Sequence, residues 1–236
     1  MTEREPAAGT GRRLRLVAFD LDGTLIRGDT VCEALARKLG HLERMRELEA
    51  IHEERQDRES LRSLRQELAV YYRGVPAIEL QSCLSALTLA PGAREGLELL
   101  RRAGITSAIV SITWQFAAEW LAAELGVEYY VGTRLLDDGS VDHFWPEDKA
   151  VWLEELMRRR GVRRDETVAV GDSWRDVPML QAVGVAVYLG TVLPPGLAAI
   201  HLPHGDIRDV AGVVTQWPDV AAGAGAARRR PTGERS

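Results

Sequence analysis

The chain has 236 residues, 45% of them hydrophobic and 28% charged, with a net charge of −5; these are ordinary values for a globular protein with a sizeable core, and they exclude wholesale disorder, a collagen-like repeat and a membrane bundle. The negative balance lacks the basic footprint of a phosphate-backbone binder, so nucleic acid is not an expected partner, and no apolar run approaches the ~20 residues of a membrane span. Of the 30 basic residues only Lys38 and Lys149 are Lys, so Arg clusters carry little information and the two lysines stand out.

Residues 1–12 are polar and read as a disordered tail without an apolar signal core. With two cysteines, Cys32 and Cys83, that form no CxxC pair, the expected setting is reducing and cytoplasmic. A short, mostly apolar run at 14–19, with Leu14, Leu16, Val17 and Phe19, predicts the first strand, followed at once by Asp20-Leu21-Asp22-Gly23-Thr24. Residues 27–89 differ from the rest: they are dense in mixed charge, show no strand-like run, and space Leu35/Leu39/Leu42 and Leu61/Leu64/Leu68 for helices. They are expected to form a helical cap inserted after the first strand. Beyond it come a helix at 91–103, a strand at 105–110 ending at Ser111, and a helix at 114–125 stopped by Gly126. Asp138-Gly139 between apolar residues signals a hairpin. Lys149 then opens a helix at 150–160, strands follow at 167–170 and 185–189, and residues 221–236, with Arg228, Arg229 and Arg230, read as a second disordered tail.

Alternating strands and helices predict an α/β fold, a doubly wound parallel sheet assembled from residues 13–26 and 90–220. In such sheets ligands bind outside the carboxyl ends of the strands. Four signals fall at that edge. Asp20 and Asp22 project to one side, where two carboxylates repel unless a cation or proton lies between them; an Asp-Gly turn after a strand is also a common structural feature. Gly171-Asp172 through Asp176 brings two more acids, Ser111 offers a hydroxyl before a helix start, and Lys149 a cation. Ser111 alone is equally a helix cap. Together the four supply a nucleophile, an acid/base, a cation, a hydroxyl and metal-grade carboxylates, the inventory of phosphoryl transfer.

In this order, Asp20-Leu21-Asp22-Gly23-Thr24, Ser111, Lys149 and Gly171-Asp172…Asp176 resemble the haloacid dehalogenase-like (HAD) superfamily over roughly residues 14–215. The segment from Val168 through Leu180 is similar to its phosphoserine phosphatase-like branch. The resemblance implies a Rossmann-like core with a small helical cap, and Mg²⁺-dependent hydrolysis of a small-molecule phosphomonoester, or transfer of its phosphate to an acceptor. It makes Asp20 the nucleophile and Asp22 the general acid/base. Ser111 and Lys149 would hold phosphate, and Asp20, the backbone carbonyl of Asp22 and Asp172 would hold the metal. Asp176 would orient Lys149 or a metal-bound water. In position, Asp29 and Arg62 match the residues that receive the substrate ammonium and carboxylate in phosphoserine-specific relatives. Ile112 and Thr113 stand where that branch has glycines, and Trp174 and Arg175 where it has small residues and Asn. These departures reshape the pocket floor and open the reading to another small phosphomonoester.

Overall fold

The computed structural model describes residues 13–217; the expected tails at 1–12 and 221–236 lie outside the described residues. The first strand, β1 (Leu16–Phe19), has all four residues buried, as a central strand covered on both faces requires. Its alternation divides the core: Val17 and Phe19 pack into one apolar cluster, Leu16 and Ala18 into another.

A two-residue strand, β2 (Ile26–Arg27), leads into four helices: α1 (Val31–Leu39), α2 (Leu42–Arg55), α3 (Arg58–Tyr72) and α4 (Ala77–Leu84). Thr30 and Glu33 cap α1 reciprocally, side chain to backbone in both directions, and the Asp57 carboxylate accepts the Ser60 N–H at the start of α3. Leu64 and Leu68 of the expected stripe are buried together with Leu35 and Met45. The segment is not purely helical at its ends, because β2 pairs antiparallel with β3 (Thr88–Leu89). Two-residue strands are too short to leave a periodic signal.

The chain then runs through α5 (Ala93–Arg102), β4 (Thr106–Trp114), α6 (Gln115–Leu125), β5 (Tyr129–Leu135), β6 (Val141–Asp142), α7 (Pro146–Arg160), β7 (Thr167–Gly171), α8 (Val177–Gln181), β8 (Val185–Tyr188), β9 (Ile200–His201) and α9 (Ile207–Thr215). The strand order is β6-β5-β4-β1-β7-β8-β9. All pairings in this sheet are parallel except β5–β6, the hairpin expected at Asp138-Gly139. Helices α5, α6 and α9 feed the cluster on one face and α7 and α8 that on the other, giving the doubly wound arrangement.

Two boundaries move. Trp114 completes β4 rather than opening α6, because β4 carries an irregularity between Val110 and Trp114 in which residues 111–113 oppose the single residue Gly132. Helix α7 starts four residues before the expected 150. Pro146 supplies its first turn without needing an N–H partner, and the Asp148 carboxylate accepts the Trp145 N–H at 2.8 Å.

Candidate active site

The chain leaves β1 at the centre of the sheet, and the neighbouring strands β4 and β7 lie on opposite sides of it. This is the switch-point crevice where α/β sheets bind ligands. Asp20 follows β1, Ser111 lies in the bulge of β4, and Asp172 follows β7. All three line one cavity of about 500 Å³, together with Asp22 and Lys149, and the cap contributes Glu49, Glu53 and Arg65 to its wall.

Lys149 sits in the first turn of α7 with its side chain 1% exposed, and its ammonium donates to Asp20 Oδ1 at 2.7 Å and to Asp176 Oδ1 at 2.5 Å. Burial alone would lower the lysine pKa, but Asp176 and Asp20 overcome it and raise it. Asp20 is pushed up to about 6, by burial first and then by the Asp176 charge, against the pull of Lys149. Asp22 is pushed up to about 7 by burial, although the Val31 N–H at the start of α1 donates to its Oδ1 at 2.7 Å. Asp172 also rises to about 7, through burial and repulsion from Asp20 and Asp176, with the Thr24 hydroxyl donating to it at 3.0 Å. One lysine therefore faces a surplus of carboxylates, a set that calls for a further cation.

Oxygens of Asp20, Asp172 and Asp176 lie within 4.8 Å of one another. Asp176 is nevertheless saturated: Oδ1 takes Lys149, and Oδ2 accepts the N–H groups of Asp172 and Ser173 and the Ser173 hydroxyl. It braces the loop after β7 and the lysine, which leaves Asp20 and Asp172 as donors. Their all-oxygen, hard character fits Mg²⁺. Gly23 allows the approach, since its φ is +80° and a Cβ there would come within 2.2 Å of Asp172 Oδ2.

In the β4 bulge, the Ser111 hydroxyl accepts the Thr113 N–H at 3.4 Å, and the buried Thr113 hydroxyl lies beside the Asp22 carboxyl. Ile112 and Thr113 line the cavity, as does Arg175, whose guanidinium pairs with Glu53 of the cap. The neighbouring Trp174 indole N–H donates to the same Glu53 carboxylate. Both unusual residues after Asp172 thus tie the core to the cap.

Asp29 and Arg62 are not brought to the cavity. Asp29 forms a bidentate pair with Arg37, and Arg62 pairs with Glu59 one turn away, with 45% of its side chain exposed. The cap guanidiniums that do line the cavity are Arg46 and the buried Arg65, neither of them among the residues expected from the sequence. The signal for Arg65 was present: it lies four residues after Leu61 and three before Leu68, on the stripe that faces inward, whereas Arg62 is displaced from that stripe.

Comparison with known proteins agrees with this geometry. Residues 17–181 match the family model for haloacid dehalogenase-like hydrolases. The chain is 29% identical over 192 residues to a phosphoserine phosphatase of Archaeoglobus fulgidus, covering 78% of this chain and 54% of that one, about half its length. It is 26% identical over 209 residues to a phosphoserine phosphatase of Methanocaldococcus jannaschii, covering 84% and 97% respectively. A phosphoserine phosphatase solved with bound substrate shares the fold at a TM-score of 0.74 and 23% identity, over 86% of this chain and 99% of that one. Family match, sheet topology and the order of the site residues lead to one assignment: the chain belongs to the haloacid dehalogenase-like hydrolases.

Proposed function

We propose that the chain hydrolyses a small phosphomonoester through a phosphorylated Asp20. The observation that carries this reading is the pairing of two carboxyl groups with unlike environments. Asp20 is held by the Lys149 ammonium at 2.7 Å, while Asp22, two residues on, has its pKa moved to about 7. Burial raises both toward neutrality, and the difference lies in their partners: the Lys149 ammonium favours Asp20 as a carboxylate, whereas Asp22 accepts a neutral N–H from Val31 and suits the proton-carrying role.

Lys149, the Ser111 hydroxyl and the adjacent backbone N–H groups would receive the phosphate oxygens. An Asp20 carboxylate oxygen attacks phosphorus as the ester P–O bond breaks, and the Asp22 carboxyl gives its proton to the departing alkoxide. Asp22, now a carboxylate, takes a proton from the water that attacks the aspartyl-phosphate. This releases inorganic phosphate and restores both acids. Mg²⁺ held by Asp20, Asp172 and the backbone carbonyl of Asp22 would offset the charge of the phosphate. Asp176 keeps Lys149 aimed at Asp20.

The named relatives support a phosphoserine-like substrate. Support also comes from Arg65, which is 3% exposed and has no carboxylate within ion-pair distance among the described residues. A buried cation without an acid is costly, and an anionic group on the substrate completes that pair. Asp29 lies outside the cavity wall, paired with Arg37, and Ile112, Thr113 and Arg175 shape the rest of the wall. Release of phosphate from phosphoserine, sugar phosphates, nucleotides and aryl phosphates with Mg²⁺ ranks the substrates. The Asp20→Asn variant is expected to lower turnover on the best of them by at least about 10³-fold; undiminished turnover overturns the nucleophile.

A further inference from the structure

Arg65 does more than face the cavity. Its Nη2 donates to the Ile112 carbonyl at 2.6 Å and to the Phe144 carbonyl at 2.9 Å. The Thr133 hydroxyl of β5 donates to the same Ile112 carbonyl at 2.9 Å and accepts the Phe144 N–H at 3.3 Å. Arg65 and Thr133 are 3% and 1% exposed, so these bonds form in a largely desolvated setting at the cavity wall, where they are stronger than in bulk water. The ring joins four parts of the chain: cap helix α3, the β4 bulge, β5 and the approach to α7.

Both backbone partners lie beside residues of the site. Phe144 stands two residues before Pro146, which opens the helix that presents Lys149. Ile112 stands between Ser111 and Thr113. The peptide unit is planar and trans, and no cis bond occurs among the described residues, so the Ile112 carbonyl and the Thr113 N–H point in opposite directions. With the carbonyl drawn to Arg65 and Thr133, the Thr113 N–H is turned towards the Ser111 hydroxyl, where it lies at 3.4 Å. The bulge has little other freedom, because Gly132 packs under it so closely that a Cβ would come within 2.7 Å of the Thr113 carbonyl oxygen.

We infer that Arg65 is a positioning residue, through which seating of the cap sets the peptide plane of the phosphate loop and the approach to Lys149, with Thr133 as its partner in the core. Helix α3 adds to the seating by placing the guanidiniums of Arg58, Arg62 and Arg65 5.1, 5.7 and 5.4 Å from the Trp145 ring centre. The inference rests on the phosphatase reading above and adds a role that is independent of which group the substrate carries.

Steady-state hydrolysis of para-nitrophenyl phosphate, which has no carboxylate for Arg65, separates positioning from substrate anchoring. Arg65→Lys retains the charge but lacks the fork that bridges two carbonyls, and Thr133→Val removes only the buried hydroxyl. Both are expected to lower kcat about 10- to 100-fold with KM changed far less, and to weaken orthovanadate more than inorganic phosphate. Thr133→Ser restores the hydroxyl and is expected to restore kcat, and the double variant Arg65→Lys/Thr133→Val falls little below Arg65→Lys alone. Thermal melts identify a variant that fails to fold, in which case the Thr133→Val and Thr133→Ser pair decides. Wild-type kcat and vanadate affinity in the folded variants overturn the inference and leave the phosphatase reading intact. A wild-type protein that hydrolyses no phosphomonoester overturns that reading, and the inference with it.

Discussion

The sheet edge and the cap wall hold charge in opposite ways. At the edge, Asp20, Lys149 and Asp176 are each no more than 5% exposed and satisfy one another directly. On the cap, the pairs Arg44–Glu47, Arg55–Asp57 and Arg62–Glu59 lie in water, with side chains 43–64% exposed, where solvent screens such pairs and they add little to stability. The lesson is that ion pairs in this chain matter by burial rather than by number. Arg65 is the exception on the cap side, a buried guanidinium held by carbonyls in place of acids.

Breaking the edge has the largest expected effect. Lys149→Met leaves Asp20 and Asp176 buried without a counter-charge. The expected cost is about 3–5 kcal/mol in urea denaturation, with turnover lost at least about 10³-fold. Variants that keep both stability and turnover would show that the lysine is a bystander.

The boundary between the regions is probed by pH. His52 of α2 is 3% exposed, its Nδ1 lies 2.9 Å from the Ser60 hydroxyl, and its ring centre is 6.0 Å from that of Trp174. Burial, reinforced by Arg175 and Arg65, depresses its pKa to about 4. The unfolded histidine takes a proton near pH 6.5 and the folded one only near 4, so across that window the unfolded state binds more protons and stability falls as pH falls. Melting temperature between pH 7 and 4.5 is expected to drop more steeply for the wild type than for His52→Gln. Parallel slopes would contradict a buried neutral His52.

The smallest effect sharpens the contrast within one helix. Arg62→Ala is expected to change stability by less than about 0.5 kcal/mol and kcat/KM by less than about twofold, since its ion pair is surface-exposed. A large rise in KM for a carboxylate-bearing substrate would return Arg62 to the role that its sequence position suggested.

The contrast also explains what could be read from the chain. Asp20, Asp22, Lys149, Asp172 and Asp176 follow from local patterns, because each lies just after a strand or at a helix start marked by its own neighbours, and Ser111 follows from the apolar run before it although β4 continues past it to Trp114. The parallel sheet followed from alternating apolar runs for the same reason. Arg65 required knowing which face of α3 turns inward and that a carbonyl 47 residues away would meet it. The bulge in β4 depends on its partner Gly132, which has no imprint on the sequence around Ser111. Glu53 meets Trp174 and Arg175 across more than a hundred residues. Local chemistry is written locally, whereas the coupling between cap and core is made by the fold.

The central claim is that phosphate passes through Asp20, and borohydride trapping during turnover tests it most directly. Hydride reduces an acyl phosphate on an aspartate to homoserine, which peptide mass spectrometry detects. The expected result is homoserine at position 20 only when phosphomonoester and Mg²⁺ are both present. Steady release of phosphate with Asp20 unmodified would contradict it.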